Sequence, residues 1–193
     1  MKRLLALLTV LATAATLSAE TYTIDPVHSS VGFSLRHIVS KFTGSFTKVT
    51  GTVNYDAAAP EKSSVEATVE IGSVNTANDK RNAHVLSGDF FDATKFPSAT
   101  FKSTSWKKTG NDTFEVAGNL TIKDVTKPVV FNATLLGTGP GMGGMTVSGW
   151  EVTGKINKAD FNLAGPAMLS KALGDEVALN IGIEAGYKAA AAK

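Results

Sequence analysis

The three histidines, His28, His37 and His84, are the residues whose type could most readily do chemistry in this chain. Imidazole is a common zinc ligand, and three imidazoles with an open fourth position form a catalytic type of zinc site. No two of these histidines have the close spacing that places two ligands on one helix or strand. The sequence therefore favours structural or ligand-contacting histidines over a metal site.

The motifs of other catalytic groups are missing as well. The chain has no cysteine, which excludes thiol catalysis, iron–sulfur clusters and cysteine zinc sites. No serine lies in a Gly-x-Ser-x-Gly turn, and the glycine-rich stretch 139–144 has neither phosphate-loop nor dinucleotide-binding spacing. Asp89 and Asp92 flank two phenylalanines in a loop, where solvated capping is the ordinary explanation. We predict that the protein is not an enzyme and needs no cofactor or metal.

The N-terminal segment predicts export. Lys2 and Arg3 precede an apolar run over 4–17, and the small residues Ser18 and Ala19 follow it. This is the layout of a secretory signal peptide over 1–19. The alternative is a membrane-spanning helix, which needs about 20 apolar residues, and the run is shorter than that. We expect a periplasmic protein with one domain over 20–188 and a frayed tail over 189–193.

Removal of the signal peptide leaves a chain with no net charge. The whole sequence has 19 Lys and Arg against 17 Asp and Glu. Lys2 and Arg3 leave with the signal peptide, which holds no acidic residue, so 17 basic residues then balance 17 acidic ones. No basic cluster remains, and we expect no nucleic-acid partner.

Apolar and polar residues alternate with a period of two through most of the mature chain, as in half-buried strands. Short turn signals separate the strands, which favours an antiparallel sheet closed on itself, since closure removes exposed edges. We predict an all-β fold, an eight-stranded antiparallel barrel, with a β-sandwich as the alternative. The predicted strands cover 31–37, 49–55, 65–71, 99–106, 114–122, 129–135, 146–156 and 177–183.

Two segments depart from this alternation. Residues 77–87 are rich in helix formers and charge, which predicts a short helix, with Thr76 as its N-cap and Asp79 in its first turn. Residues 137–144 are glycine-rich, which predicts a mobile loop instead of a strand.

The inward faces of the predicted strands carry several small residues, which favours an internal cavity over a filled core. They are Gly51, Ala67, Ser103, Gly118 and Ala133. An eight-stranded barrel either fills with side chains or holds one small ligand. A ten-residue strand reaches about 33 Å, so a tilted strand allows a cavity roughly 25 Å long.

Several motifs resemble the YceI-like family of lipocalin-like periplasmic proteins, which bind polyisoprenoids and related long-chain lipids. The resemblance spans 22–185. Two positions depart from the family pattern: Asn82 replaces a common Asp, and Val85 a usual Leu. The matching segments are R-N-A-H-V-L-S-G-D-F-F (81–91), K-F-P-S-A-T-F (95–101), G-N-L-T-I-K-D-V-T-K-P (118–128), and the shorter stretches 33–37, 44–46, 154–161 and 174–177.

The resemblance implies a lipocalin-like barrel whose interior is a tunnel for a long apolar lipid. His37, Arg81 and His84 are the residues that we expect to contact the lipid head group. The residues that we expect to line the tunnel are Phe33, Leu35, Val53, Val69, Ile71, Phe101, Val116, Leu120, Ile122, Phe131, Leu135, Trp150, Ile156, Phe161, Leu179 and Ile181.

We therefore expect a periplasmic carrier or scavenger of an isoprenoid lipid, such as a polyprenyl phosphate or a quinone. Two alternatives belong to other classes: a structural or stress-protective barrel without a physiological ligand, and an enzyme that acts on the lipid. Transient contact with a membrane or a membrane protein, and oligomer formation, stay open at this stage.

The export hypothesis predicts a mature N-terminus at Glu20, because signal peptidases cut after small residues such as Ala19. Intact-mass measurement of protein from the periplasmic fraction checks the cleavage site. A mass that retains Met1 would contradict the hypothesis.

Overall fold

The structure, a computed structural model, describes residues 19–188. The predicted signal peptide, apart from Ala19, and the predicted tail over 189–193 lie outside these residues. The described chain forms eleven strands and one α-helix, α1, at Asp79–Leu86. The strands are β1 Glu20–Ile24, β2 Ser30–His37, β3 Ser40–Phe46, β4 Val49–Tyr55, β5 Ser64–Glu70, β6 Val74–Asn75, β7 Ser98–Lys108, β8 Thr113–Ile122, β9 Val125–Pro140, β10 Thr146–Asn157 and β11 Leu173–Tyr187.

Eight of these strands close into an antiparallel barrel, which confirms the predicted fold class. The ring runs β1-β4-β5-β7-β8-β9-β10-β11 and returns to β1. The strands β2, β3 and β6 continue the sheet from β11 at one end of the barrel. The predicted set of eight strands was therefore wrong in one member, because it used 31–37 where the ring closes through β1.

The barrel closes at a seam where β11 changes its partner. Gly182 is opposite Ser30 of β2, whereas Ala185 is opposite Ile24 of β1. The buried Ser29 fixes this change, because its Oγ donates to the Glu184 carbonyl (3.2 Å) and accepts from the Glu184 N–H (3.1 Å). Hydrogen bonds between the short β1 and the end of β11 thus complete the ring.

On the outside of the seam, His28 lies between two carboxylates. Its Nδ1 is 2.8 Å from Asp25 Oδ2 and 3.7 Å from Glu184 Oε1. Within residues 19–188, these three side chains are the one group of potential ligand atoms that gather within 4.8 Å of one another. All three are solvent-accessible and already bind each other, so the arrangement is explained as an ion-paired clip across the seam.

Aromatic rings fill the end of the barrel at which β1 and β11 meet. Trp150 packs edge-to-face against Trp106, with ring centroids 5.7 Å apart, and against Tyr55 at 5.1 Å. Phe114 contacts all three rings. A second buried cluster, which includes Phe161, lies at the opposite end. The first end is therefore closed by packing, and the open space lies above it.

The helix α1 packs beside β6 at that opposite end and confirms the predicted short helix. Its N-cap is Asn78, whose Oδ1 accepts from Arg81 N–H at 3.0 Å. The prediction of Thr76 as the cap was wrong, because Thr76 is buried and its hydroxyl binds Asn82 Oδ1 at 2.7 Å. No helix within residues 19–188 combines the length and apolar character needed to span a bilayer.

The predicted loop over 137–144 was wrong for its first half. The strand β9 extends to Pro140, because residues 137–140 pair with residues 146–149 of β10. Only a tight connection, which includes the 3-10 helix Met142–Gly144, remains between the two strands. Inter-strand hydrogen bonds thus overcome the weak strand preference of glycine.

The clip at the seam predicts a shifted titration of His28. The hydrogen bond that the His28 ring donates to Asp25, with the charges of Asp25 and Glu184, raises the pKa of His28 above its ordinary value of 6.5. The same hydrogen bond lowers the pKa of Asp25 below 3.8. The clip therefore stabilises the fold between these limits: it is lost as pH rises through the raised pKa of His28, or falls through the lowered pKa of Asp25.

We expect the NMR titration midpoint of His28 to lie above 6.5 in the wild type and to fall in Asp25→Asn. Asp124→Asn, which removes an exposed carboxylate elsewhere, serves as the control and should leave the midpoint of His28 unchanged. Equal midpoints in the wild type and Asp25→Asn would show that the pair does not form.

Candidate functional site

The barrel interior holds two adjoining cavities. The larger one, the mouth cavity, has a volume of about 680 Å³ and lies at the end of the barrel with α1, β2 and β3. The smaller one, the inner cavity, has a volume of about 140 Å³ and reaches down to Trp106 and Trp150. The residues that line both cavities are Val31, Val69, Ala99, Leu120 and Leu179.

The inner cavity has apolar walls. Thr100 is its one lining residue with a polar side chain, and the rest are aliphatic or aromatic. At its floor, Trp150 Nε1 donates to Ser148 Oγ at 3.0 Å. The buried Trp106 Nε1 has no hydrogen-bond partner among the described residues. This part of the interior can therefore bind hydrocarbon and offers almost nothing to a polar ligand.

The small residues on the inward faces do not all create this space. Ala67 and Ala133 line the inner cavity, as expected. Gly118 instead makes room for a ring, since a Cβ there would lie 2.4 Å from Phe101 Cζ. Gly51 has a φ of +146°, and a Cβ there would lie 2.1 Å from the Glu66 carbonyl oxygen, so it permits close strand approach. The two alanines therefore leave space for the inner cavity, whereas the two glycines allow close packing of a ring and of a neighbouring strand.

The residues predicted to line the tunnel are mostly placed around these cavities. Leu135 and Phe161 line neither: Leu135 packs toward the closed end opposite Trp150, and Phe161 is buried in the 3-10 helix Lys158–Phe161. The others line the inner cavity (Val53, Phe101, Val116, Phe131, Trp150 and Ile181), the mouth cavity (Phe33, Leu35, Ile71, Ile122 and Ile156) or both (Val69, Leu120 and Leu179).

The three residues predicted to contact a head group, His37, Arg81 and His84, all line the mouth cavity. The Arg81 guanidinium donates through Nε to Thr76 Oγ1 at 3.1 Å and through Nη2 to the Thr76 carbonyl. It also lies over the ring of Phe42, with Cζ 4.9 Å from the centroid. No carboxylate of residues 19–188 lies within 4.0 Å of it. Arg81 is thus a positioned cation without a counter-ion.

The two histidines at the mouth differ in their partners. His84 Nε2 is 2.9 Å from Asp89 Oδ2, and its ring packs edge-to-face on Phe90 with centroids 5.2 Å apart. His37 ends β2 at the exposed rim and makes no side-chain ion pair within the described chain. Arg81 and His37 are therefore better placed than His84 to meet an anionic group.

Lys158 is a cavity residue that the sequence reasoning missed. Its side chain is only 6% exposed, and Nζ donates to Asp175 Oδ1 at 2.8 Å and to the Ala164 carbonyl at 3.2 Å. The hydrogen bond from Lys158 lowers the pKa of the Asp175 carboxyl. Lys158 thus joins the connection between β10 and β11 to the first residues of β11. Lysine is expected at the surface, so the sequence carried no clear signal for its burial.

The fold and its interior define a closed antiparallel β-barrel with an internal apolar cavity that opens at one end. The chain belongs to the YceI-like family, since the model of the YceI-like domain matches residues 22–185. It is 38% identical to the protein YceI of Salmonella arizonae over 184 residues, which cover 92% of this chain and 93% of that protein.

Solved structures share the fold. The crystal structure of BcnA from Burkholderia cenocepacia matches with a TM-score of 0.75 and 24% identity, over 83% of this chain and 98% of that one. A domain from Saccharophagus degradans, described as polyisoprenoid binding and implicated in plant cell wall breakdown, matches with a TM-score of 0.64 and 18% identity. That match covers 85% of this chain and 97% of the other.

The buried Thr76 predicts a matched pair of variants. Its hydroxyl binds both Arg81 Nε and Asn82 Oδ1. Thr76→Val keeps the shape of the side chain but removes both hydroxyl bonds, while the Thr76 backbone still binds Asn82 Oδ1 and Arg81 Nη2. We therefore expect a loss of about 0.5–1.5 kcal/mol in the free energy of unfolding. Thr76→Ser retains the hydroxyl and should lose less. Urea unfolding curves measure both, and an equal loss would show that the methyl group, not the hydroxyl, matters.

Proposed function

We propose that this protein is an exported carrier or scavenger of an isoprenoid lipid, whose tail lies in the two cavities and whose head group lies at the mouth. The observation that carries the proposal is the joined pair of apolar cavities beneath a cationic mouth. A periplasmic location follows from the predicted signal peptide. The protein holds the lipid and does not transform it.

The volume and walls of the cavities support a ligand of this class. The mouth cavity alone, at about 680 Å³, falls within the range of about 300–1,000 Å³ typical of ligand pockets. Burial of each CH₂ contributes about 0.8 kcal/mol, so micromolar affinity after the cost of association needs about 15–30 buried carbons. A tail of a few prenyl units supplies them. Because apolar contacts are non-directional, the site tolerates different tails.

The charges at the mouth support an anionic head group. Arg81 is held by Thr76 and Phe42 and has no carboxylate partner, so its guanidinium is free to bind a phosphate. The exposed His37 lies at the same mouth. A prenyl phosphate therefore fits the mouth better than a quinone, whose head carries no charge.

The polar groups of the mouth cavity favour a protein that binds the lipid over an enzyme that transforms it. The hydroxyl side chains among its lining residues are Ser40, Thr43 and Thr76, and the Thr76 hydroxyl is engaged by Arg81 and Asn82. His84 is bound to Asp89 and does not contact any of these hydroxyls. Covalent catalysis usually requires a nucleophile activated by an adjacent base, and His84 and these hydroxyls do not form such a pair. The polyisoprenoid-binding description of the S. degradans domain, which has this fold, supports the same ligand class.

The head and the tail of the proposed ligand can be tested separately. We expect Arg81→Gln and His37→Ala to weaken binding of a prenyl phosphate by about 1–3 kcal/mol each, because a hydrogen-bond donor to the head group is lost. His84→Ala should weaken it less, because the His84 ring is bound to Asp89. Binding of a quinone should change much less. Dissociation constants for both lipids, measured on delipidated full-length mature protein, provide the comparison. Equal losses for both lipids would show that these residues act through the fold.

For the tail, we expect Leu120→Asp to abolish binding of both lipids, since an unpaired carboxylate in an apolar cavity must stay hydrated or take up a proton. Leu136→Asp, on the exposed face of β9, is the matched control and should bind both lipids normally. Mass spectrometry of the organic extract from natively purified protein identifies the cargo. A lipid that wild type alters chemically, and that His37→Ala leaves intact, would overturn the carrier function.

A further inference from the structure

The tip of the β2–β3 hairpin presents two apolar side chains to solvent. Ile38 and Val39 form its two-residue turn, and Val39 is 97% exposed. Ile38 has a φ of +52°, at the first turn position, where such turns favour glycine. A β-branched residue in this conformation is strained. The hairpin thus carries apolar side chains where neither burial nor turn geometry explains them.

A third exposed apolar side chain lies at the same end of the barrel. Met168, in the 3-10 helix Ala167–Leu169, is 86% exposed. This segment is tied to the hairpin, because the Ile38 N–H donates to the Ala172 carbonyl at 2.7 Å, and the Ala172 N–H to the Leu169 carbonyl at 2.9 Å. Leu169 also lines the mouth cavity. Ile38, Val39 and Met168, which we term the apolar rim, therefore border the mouth.

Three cations flank the apolar rim: Arg36, Lys41 and Lys171. Arg36 and Lys41 lie directly opposite each other across β2 and β3, an arrangement of like charges that disfavours the pairing. No carboxylate of the described chain lies within 4.0 Å of any of the three. An anionic partner would relieve this repulsion.

The opposite end of the barrel provides a contrast. Its β9–β10 turn also exposes apolar side chains, with Met142 92% exposed. No charged residue occurs between residues 134 and 149, however. The β2–β3 hairpin, with the neighbouring 3-10 helix, therefore combines exposed apolar side chains with nearby unpaired cations, whereas the β9–β10 turn has the apolar side chains without the charges.

We propose that the apolar rim and its three cations dock the barrel, mouth first, on the surface of an anionic lipid bilayer. Shallow insertion of apolar side chains, with basic residues at the level of the head groups, is how peripheral proteins hold such surfaces. Docking in this orientation places the cavity mouth against the bilayer. The surface does not depend on the identity of the cargo, so it can be tested with empty or loaded protein.

The test is co-sedimentation of mature full-length protein with vesicles of phosphatidylcholine and phosphatidylglycerol in equal parts. Wild type should pellet with these vesicles and much less with phosphatidylcholine alone. Val39→Glu should weaken binding about tenfold or more, since a charge replaces the valine that would insert into the bilayer. The double variant Lys41→Gln/Lys171→Gln should weaken it about 25-fold, roughly fivefold per cation. Met142→Glu, in the uncharged β9–β10 turn, is the matched control and should bind like wild type.

Ile38→Gly separates docking from folding. Glycine relieves the positive φ, so the urea midpoint should be no lower than that of wild type, while vesicle binding weakens. The proposal is overturned if wild type stays in the supernatant, if Val39→Glu and Ile38→Gly bind like wild type, or if Met142→Glu loses as much as Val39→Glu. It is equally overturned if the rim instead forms a dimer that Val39→Glu dissociates and that binds no vesicles.

Discussion

Closure of the sheet between β11 and β1 is the constraint on which the rest of this structure depends. The chain has no disulfide, because it has no cysteine, and the ring is held by inter-strand hydrogen bonds and by side-chain contacts. A ring of eight strands fixes the diameter of the interior to a width that side chains nearly fill. Where four aromatic rings meet, the interior is packed, and where alanine and branched aliphatic residues face inward, space remains. The cavity is thus a consequence of closure together with side-chain size.

Closure also explains the difference between the two ends of the barrel. β11 is long enough to pair with β2 over its first part and with β1 over its last part. At the seam with β1 the barrel is narrow and filled, whereas beyond it β2, β3 and β6 spread the sheet around a wider space that α1 borders. Apart from Thr100, the residues with polar side chains that line the cavities lie on this wider side. The change of partner of β11, from β2 to β1, therefore separates the apolar inner cavity from the more polar mouth cavity.

Much of this arrangement could be predicted from the sequence, because the regular alternation of apolar and polar residues in a strand indicates which side chains face inward. Leu120, Ile122 and Phe131 lie on the inward face that their alternation indicated. β1 and β3 were not among the predicted strands, and for β1 the reason is physical. β1 has only Tyr22 and Ile24 as buried apolar residues, and its pairing partners lie far away in the sequence. Its strand character therefore arises from closure and not from local preference, as does that of residues 137–140.

The site was predictable in its residue types but not in its partners. Most of the residues that alternation assigned to the inward face line the two cavities, and Arg81 and His84 of the helix line the mouth cavity. That Arg81 is held by a buried threonine, and that Lys158 is buried against Asp175, depends on contacts between distant segments. No periodicity records such contacts. The alternation of apolar and polar residues thus predicts the apolar cavity walls, whereas contacts between distant segments determine which charged side chain remains unpaired.

The two tryptophans give this barrel an optical property. Trp106 and Trp150 are the only tryptophans of the chain, and both form the floor of the inner cavity, while none lies at the mouth. Indole emission depends on the polarity and packing of the few ångströms around the ring. The intrinsic fluorescence of the protein therefore reports how deeply a bound ligand chain reaches into the inner cavity. It does not report what occupies the mouth cavity.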